Sequence, residues 1–495
     1  MTRGQPTTRA PLREGAGVAR NALFLVAGQL ATTAVSFAVT AVLAWHLGAA
    51  DYGVFFLAMT LVQSAFVLAD FGQEYYVVGR IAQDASGAAT LLGSGLLVRL
   101  VATVAIVPLL AGLGAVLGYP EATRAAISLT VAFFFLTSIR DGVNVVLRGL
   151  ERMDVEAALR VASTILVAVA IAVAVVSGGR LTAVLVMQVL GAAAALVACW
   201  FAVRRVGIAC PRPSLPIAVS ILSGGAPFLL QAAVVGLQSS LDAILLSVFV
   251  PPSVIGWHGA AWKLVGTLLI PANVLAAALY PTLSRLQGAA QYEALLEEGL
   301  RATVVLGFLG AAGTFLFADA AIALIYGTQA FGPAAGNLRV LAAYLPLVFL
   351  DIVFGAAIMA AGKLTPWMRA RLVSVVVALV VSVVLIPLSQ SSLGNGGVGG
   401  AAGTVAAELV MFVAALRLVP FDRERLRGRL PQDVGRAAIA AVAMAAAASA
   451  LRDSNIALRI GMSVTVYLAS AGLLGAIRRE DLRFIRDVVR LRSPG

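Results

Sequence analysis

The sequence predicts an all-α membrane protein with about 14 transmembrane helices, arranged as two six-helix lobes around a central cavity plus a C-terminal helix pair. Hydrophobic residues make up 60% of the 495 residues and charged residues only 12%, whereas a soluble domain carries roughly 25% charged residues. The net charge of +12 is spread between apolar segments, although a nucleic-acid-binding protein gathers its positive charge on one solvated face. Composition therefore excludes both a soluble fold and a nucleic-acid partner.

About fourteen apolar stretches are long enough to cross roughly 30 Å of hydrocarbon as helices, which satisfy their backbone hydrogen bonds internally. The first of them, from Asn21, exceeds the apolar core of a signal peptide, about 7–15 residues long, and we interpret it as a retained membrane helix. The predicted spans are 21–46, 53–73, 89–116, 122–146, 158–178, 181–203, 225–250, 253–279, 300–318, 333–360, 368–389, 397–418, 433–451 and 456–477.

Orientation follows from the positions of Lys and Arg, because cytoplasmic loops hold the excess of basic residues. The termini and the connections on their side of the membrane hold 29 of the 36 basic residues. The opposite side holds four, namely Arg124, Arg180, Arg452 and Arg459. We therefore expect a multi-pass protein of a bacterial inner membrane with both termini in the cytoplasm.

The longest connections between predicted spans, 204–224 and 280–299, are too short for a soluble catalytic domain. The first is basic and proline-rich and divides the chain into two halves, and a repeated lobe is typical of transporters. The predicted organisation is an N-terminal cytoplasmic tail at 1–20, an N-lobe at 21–203, a linker at 204–224, a C-lobe at 225–418, two further helices at 419–477 and an amphipathic cytoplasmic tail at 478–495.

Short patterns of glycine, proline and small residues at the predicted helix ends carry a resemblance that covers nearly the whole chain. They are Leu47-Gly48, Asp51-Tyr52-Gly53, Asp70-Phe71-Gly72, Arg148-Gly149-Leu150-Glu151-Arg152-Met153, Pro227 and Asp242, Gly256 to Lys263, Tyr280-Pro281-Thr282-Leu283-Ser284, Leu385-Ile386-Pro387 and Gly399-Gly400-Ala401-Ala402. In order and spacing they resemble the polysaccharide and oligosaccharide flippases of the multidrug/oligosaccharidyl-lipid/polysaccharide exporter superfamily.

The resemblance implies a flippase that moves a polyprenyl-diphosphate-linked oligosaccharide, a precursor of cell-surface polysaccharide, from the cytoplasmic to the periplasmic leaflet. It further implies alternating access between the two lobes, coupling to a gradient of H⁺ or Na⁺, and association with membrane lipids and polysaccharide-assembly proteins. It implies no catalytic residue, metal or cofactor. The glycine-rich run Gly394–Gly400 lacks the preceding strand and the following Lys-Ser/Thr of a phosphate-binding loop, which favours a tight turn.

Polar residues inside predicted spans are candidates for the binding site, because a charge at the centre of a membrane helix costs about 2.5–3.5 kcal/mol on insertion scales. In helix seven, Gln231, Gln238 and Asp242 share one face. In helix eight, Lys263 follows Trp262 and lies at a depth similar to that of Asp242. Lys263 either forms a structural ion pair with Asp242 or binds the diphosphate, and Trp262 either packs against neighbouring helices or stacks on sugar rings.

The remaining candidates fall into four groups. Arg99, ten residues inside helix three, and Arg339 are candidates for contact with phosphate, and Arg99 alternatively snorkels or pairs with Asp70 or Asp141. Tyr344 is a candidate for contact with sugar. The candidates for ion coupling are Asp242, Asp351 and Glu408, and the candidates for a gate or a structural ion pair are Asp70, Arg140 and Asp141.

Four other functions compete with transport of a lipid-linked oligosaccharide. A lipid II flippase or a multidrug/cation antiporter belongs to the same superfamily, although basic candidates in both lobes disfavour cationic drugs. A polysaccharide polymerase or ligase needs a large periplasmic loop, which this chain lacks. A channel fits two similar lobes less well than alternating access does.

Overall fold

The fold is given by a computed structural model that describes residues 10–70, 73–208, 211–287 and 290–478. These ranges form eighteen α-helices and one 3₁₀ turn, at Ala85–Gly87. The helices are α1 Ala10–Asp70, α2 Gln73–Gln83, α3 Ala88–Val116, α4 Glu121–Gly149, α5 Met153–Val176, α6 Leu181–Val206, α7 Leu215–Phe249, α8 Pro252–Leu268, α9 Ile270–Arg285, α10 Ala290–Leu316, α11 Ala318–Tyr326, α12 Thr328–Phe331, α13 Ala334–Ala342, α14 Tyr344–Ala360, α15 Leu364–Leu393, α16 Gly397–Leu418, α17 Arg423–Ala450 and α18 Ile456–Leu473.

The predicted all-helical membrane fold is confirmed. Within the described ranges, ten helices are long and apolar enough to cross a membrane, and two bent pairs meet the same test when each pair is taken as one span. The first candidate, Ala31–Asp70, is assigned as one continuous helix but extends over parts of two predicted spans. Gly48 breaks α1 between these two spans with a φ of 70°. Only glycine adopts this backbone conformation readily, so the break separates the first predicted span from the second. The seventh predicted span lies within α7.

Two predicted spans are broken by proline. The eighth is bent by 41° between α8 and α9, and the tenth is bent by 47° between α13 and α14. Pro271 lies in the first turn of α9 and Pro346 in the first turn of α14. Because proline lacks an N–H and its ring clashes with the carbonyl of the preceding turn, each helix stops just before its proline and restarts in a new direction.

Two connections are more ordered than a loop. The 280–299 connection is largely helical, since α9 runs on to Arg285 and α10 begins at Ala290. Most of the stretch after the ninth span forms the short helices α11 and α12. The 204–224 connection is different, because α6 ends at Val206, with Gly207 as its cap, and α7 begins at Leu215. Between them the Arg212 amide donates a hydrogen bond to the Ala89 carbonyl, which fastens this part of the connection to α3.

The chain divides into two compact units. Unit 1 consists of residues up to Leu47 together with Ala58–Ser239, and unit 2 consists of Gly48–Leu57 together with the residues from Ser240 onward. The core of unit 1 is formed by apolar side chains of α2, α3, α4 and α6, among them Ile81 and Leu147. Unit 2 has one core around Phe354 and Met411 and another around Met444 and Tyr467. The lobe boundaries expected from the sequence, and the cytoplasmic side of the termini, stay predictions.

Unit 2 contains a contact between helix backbones that depends on glycine. The segment 48–57 lies against the start of α8 so closely that a Cβ atom at Gly53 would overlap the Pro252 carbonyl oxygen. A Cβ atom at Gly256 would likewise overlap the Ala49 carbonyl oxygen, and one at Gly259 would overlap the Phe56 ring. Since the nearest atoms at Gly53 and Gly256 are backbone, neither helix has a flexible side chain that could move aside. This glycine contact joins segment 48–57 to unit 2.

We expect Gly256→Ala to destabilise unit 2 by about 1–3 kcal/mol, the usual cost of forcing additional atoms into a packed interior. Thermal unfolding of the purified protein in detergent measures the change. The control is Gly266→Ala on the same helix, where nothing lies within 4 Å of the added carbon. Alanine there should leave stability unchanged or raise it by up to about 1 kcal/mol, because alanine favours helix more than glycine does. Equal unfolding midpoints for the two variants would contradict the close packing at Gly256.

Candidate functional site

A group of polar side chains lies inside unit 2, on α7, α8, α14, α15 and α16. Its first part surrounds Asp242, which is 9% exposed. The Thr404 hydroxyl donates a hydrogen bond to Asp242 Oδ2 over 2.5 Å. His258 Nε2 lies 3.7 Å from the same oxygen. Three helices therefore contribute to one carboxylate.

The second part is an aromatic pair next to a lysine. The rings of Trp262 and Tyr344 have centroids 5.5 Å apart, and the Trp262 ring lies 6.4 Å from that of His258. Lys263 follows Trp262 on α8 and is half-buried. Within the part of the chain that the structure describes, no carboxylate forms an ion pair with Lys263. Among these residues the ammonium is therefore a partly desolvated cation without a counter-ion.

The third part combines two carboxylates with one guanidinium. Arg371 Nη2 lies 3.7 Å from Asp351 Oδ2, and Arg371 stacks over the Trp367 ring at 5.9 Å. Glu408 is 4% exposed, and the charges that act on it are those of Asp351 and Arg371. Its Oε1 is buried and accepts no hydrogen bond within the described ranges. Because one guanidinium neutralises only one carboxylate, this group carries a surplus negative charge unless it binds a proton or a cation.

Arg339 lies outside this group and forms an ion pair with Asp319 of α11, and both side chains are accessible to solvent. Gln238 is half-buried, has an interaction partner and lies one helical turn before Asp242 on α7. The Gln231 side chain lies outside the described part of the structure, as does the predicted amphipathic tail from residue 479 onward. The structure therefore does not bring the full predicted set of polar residues into one group.

In unit 1, Arg99 of α3 is 3% exposed and forms an ion pair with Asp70, whose side chain is largely exposed. Its Nε is buried and donates no hydrogen bond to any described residue. A Cβ atom at residue 142 would contact Arg99 Nε at 3.4 Å, so Gly142 leaves room for the guanidinium. The lining of the small cavity beside it includes Gln73, Gly95, Arg99 and Gly142. Arg99 is thus partly neutralised and still has an unused donor.

Arg140 and Asp141 form an ion pair with each other over 2.8 Å. Asp141 also acts electrostatically on Asp70. Asp70 is the last residue of α1, whereas Arg99 lies inside α3 and the Arg140–Asp141 pair lies inside α4.

Sequence reasoning left three residues of the unit 2 group out of the candidate set. Arg371 lies within the predicted span 368–389 and about two turns into α15, which begins at Leu364, but it was not chosen as a candidate. Thr404 precedes Glu408 by one helical turn, so the spacing could have placed both on one face. His258 precedes Trp262 by the same interval. The sequence shows the spacing of residues within each helix, but it does not show which residue of a neighbouring helix each side chain contacts.

Comparisons with known proteins agree with this architecture. The family model described as polysaccharide biosynthesis protein matches residues 18–287. The "Probable low-salt glycan biosynthesis flippase Agl15" of Haloferax volcanii is 23% identical over 390 residues, which cover 78% of this chain and 80% of that protein.

Solved structures of transporters share the fold. The lipid II flippase MurJ in an inward closed conformation aligns with a TM-score of 0.67 and 12% identity, over 94% of this chain and 99% of that one. An inward-facing multidrug resistance transporter of the MATE family aligns with a TM-score of 0.61 and 19% identity, over 80% of this chain and 96% of that one.

The ion pair of Arg99 should respond unequally to the loss of its two partners. Asp70→Asn leaves a buried guanidinium without its counter-ion, whereas Arg99→Met leaves a carboxylate that water can reach. We therefore expect Asp70→Asn to cost more, up to about 3 kcal/mol, since removing one partner of a buried pair costs about 3–5 kcal/mol when both partners are desolvated. Thermal unfolding of both variants and of the double variant measures the difference.

Asp141→Asn is the control, because both members of the Arg140–Asp141 pair are at least partly exposed and exposed pairs contribute less than about 1 kcal/mol. The double variant should recover part of the stability lost by Asp70→Asn, since it no longer buries an unpaired charge. A smaller loss for Asp70→Asn than for Arg99→Met would contradict the assignment of Arg99 as the desolvated partner.

Proposed function

We propose that this chain, which belongs to the polysaccharide biosynthesis protein family, is a flippase that moves a polyprenyl-diphosphate-linked oligosaccharide across a bacterial inner membrane. The cargo moves from the cytoplasmic to the periplasmic leaflet, and both termini of the protein lie in the cytoplasm. Helices one to six of the predicted topology rock against helices seven to twelve, which gives alternating access to the binding site.

Lys263 is the observation that carries this proposal. A half-buried ammonium without a protein counter-ion is costly, and an anionic ligand removes the cost. A diphosphate suits it, because lysine acts as a compact point charge that donates three hydrogen bonds. The neighbouring Trp262 and Tyr344 provide aromatic faces for the apolar faces of sugar rings. The set of residues proposed to bind the headgroup is therefore Lys263, Trp262 and Tyr344.

Arg99 joins this proposal in unit 1. Its guanidinium is held by Asp70, yet the free Nε and the adjacent cavity leave room for one further acceptor. A phosphate oxygen is the acceptor that guanidinium groups bind most readily. Arg339 is a weaker candidate because Asp319 already neutralises it.

Ion coupling completes the proposed mechanism. Asp242, Asp351 and Glu408 are buried carboxylates inside unit 2, and only Asp351 pairs with an arginine in the described ranges. Taking up a cation or a proton lowers the cost of burying the remaining negative charge. We therefore propose that a gradient of H⁺ or Na⁺ acts on this group, and that the protein works alongside other polysaccharide-assembly proteins.

The similar proteins support a flippase function. The Haloferax volcanii relative is described as a flippase of glycan biosynthesis, and the fold matches that of a lipid II flippase. Lipid II also joins a saccharide to a polyprenyl diphosphate, so it is the second candidate cargo. A multidrug transporter has the same fold, but the unpaired charge beside Trp262 is positive and disfavours a cationic drug.

We expect Lys263→Met to lower transport of a lipid-linked oligosaccharide in reconstituted vesicles by about 10–100-fold. This range corresponds to losing one hydrogen bond between charged groups, about 1.5–3 kcal/mol. Lys263→Arg should retain part of the rate because it keeps the charge. Transport is measured as the change in the fraction of saccharide that is accessible from one side of the vesicle membrane. Lipid II and a cationic dye serve as competing cargoes.

Lys363→Met is the matched control for this experiment. Lys363 is the other lysine of the chain, and its ammonium donates a hydrogen bond to the Leu418 carbonyl oxygen at an exposed position. Its removal should leave transport within about twofold of the unmodified rate, because surface substitutions have small effects. Unchanged transport by Lys263→Met, or transport of the cationic dye alone, would refute the anionic-cargo proposal.

A further inference from the structure

His258 is a buried titratable residue that the proposed headgroup site leaves without a role. Its side chain is fully buried, and neither ring nitrogen forms a hydrogen bond with any described residue. A buried polar group without a partner costs about 1–3 kcal/mol, and a structural histidine usually avoids this cost by hydrogen bonding through at least one ring nitrogen. The position of His258 therefore needs a different explanation.

Asp242 supplies that explanation. Its Oδ2 is 3.7 Å from His258 Nε2, which is too long for a hydrogen bond but within range of a strong charge–charge attraction in a water-poor interior. The neutral imidazole gains little from this carboxylate. A proton on the ring converts the contact into an ion pair, and a shift of α8 by less than 1 Å converts it into a charge-assisted hydrogen bond.

Other titratable or charged groups lie on the segments packed against α8, and Glu408 is a separate candidate for binding a proton. Asp51 and Tyr52 lie on segment 48–57, Lys263 on α8 itself, Tyr280 and Arg285 on α9, Asp319 and Tyr326 on α11, Arg339 on α13, and Glu408 and Arg417 on α16. The short helix α12, which also neighbours α8, carries no charged side chain. Within the described ranges, Asp242 is the acidic group that contacts the imidazole, and Arg339 is paired with Asp319.

We infer that His258 and Asp242 form a proton-binding pair in unit 2, and that this pair makes transport respond to pH. The proton comes from water, binds the free ring nitrogen and adds one positive charge to the interior. The inference rests on the proposed function, because it names the ion that acts on the same group of residues.

Proton binding also has a structural consequence. His258 shares α8 with Trp262 and Lys263, one turn away. A movement that brings the imidazole to Asp242 also moves these two residues of the proposed headgroup site. The Thr404 hydroxyl holds Asp242 from α16, so a small displacement of α8 relative to α7 and α16 would close the gap to the imidazole.

The chain has two histidines, His46 and His258, which makes protonation directly observable. We expect the ¹⁵N resonances of selectively labelled histidine in lipid nanodiscs to show two imidazoles, with His46→Gln identifying the one from His258. That signal should change from neutral to protonated as the pH is lowered. In Asp242→Asn the protonated fraction at a given pH should be smaller, because the favourable carboxylate charge is lost.

A transport measurement tests the coupling. In vesicles, an inward pH gradient should accelerate transport by the unmodified protein, and the ratio of rates with and without the gradient should fall to about one in His258→Gln. His46→Gln should keep the ratio of the unmodified protein, because His46 lies in unit 1 and contacts the Gly179 carbonyl oxygen.

Two results would overturn the inference. One is a His258 signal that stays neutral over the whole pH range, and the other is an unchanged rate ratio in His258→Gln, including a case in which a Na⁺ gradient alone drives transport. Failure of the proposed function is a separate result. If the unmodified protein moves no lipid-linked saccharide, the resonance measurement still decides whether His258 and Asp242 share a proton.

Discussion

The absence of water in the hydrocarbon core is the constraint on which the rest of this structure depends. Every backbone amide in a membrane segment must be satisfied within its own helix, and every charge needs a partner or a ligand. The first requirement explains the helical architecture. The helices are broken where glycine permits another backbone conformation, at Gly48, or where proline disfavours a regular helix, at Pro271 and Pro346. The second requirement makes the charges inside the helices informative about function.

Most charges in the helices of this protein satisfy the second requirement internally. Arg99 pairs with Asp70 and Arg371 pairs with Asp351. Lys263 and Glu408 form no ion pair among the described residues, and His258 and Asp242 are too far apart for a hydrogen bond. All four residues lie in unit 2. The proposed function assigns the response to cargo and ion to these residues of unit 2. Segment 48–57 joins this unit through the glycine contact with α8, so the helix that carries Lys263 also carries the contact with the first part of the chain.

The sequence predicted the class and the approximate spans of the helices because length and hydropathy alone determine what can cross a bilayer. It could not predict the bends in the eighth and tenth spans, since a proline in an apolar run ends a helix in some contexts and only kinks it in others. The same limit applies to the site. The spacing of His258, Trp262 and Lys263 along α8 was visible, but the partner of Asp242 depends on how α7, α8 and α16 pack. The structure places Thr404 and His258 beside this carboxylate, whereas the sequence left open a pair with Lys263. Arg371 lies inside the predicted span 368–389, but its role depends on Asp351 of α14, and the sequence does not show that these two helices meet.

The most direct test of the central claim, that Lys263 is a cation kept for an anionic cargo, is chemical protection of this side chain. The two lysines of the purified protein react with a small amine-reactive reagent, and mass spectrometry of peptides quantifies each position separately. A saturating polyprenyl-diphosphate-linked saccharide should slow modification of Lys263 by about tenfold or more, as expected for an ammonium engaged by phosphate, and leave Lys363 unchanged. An uncharged polyprenol should protect neither lysine. Equal modification of Lys263 with and without the diphosphate-linked lipid would contradict the claim.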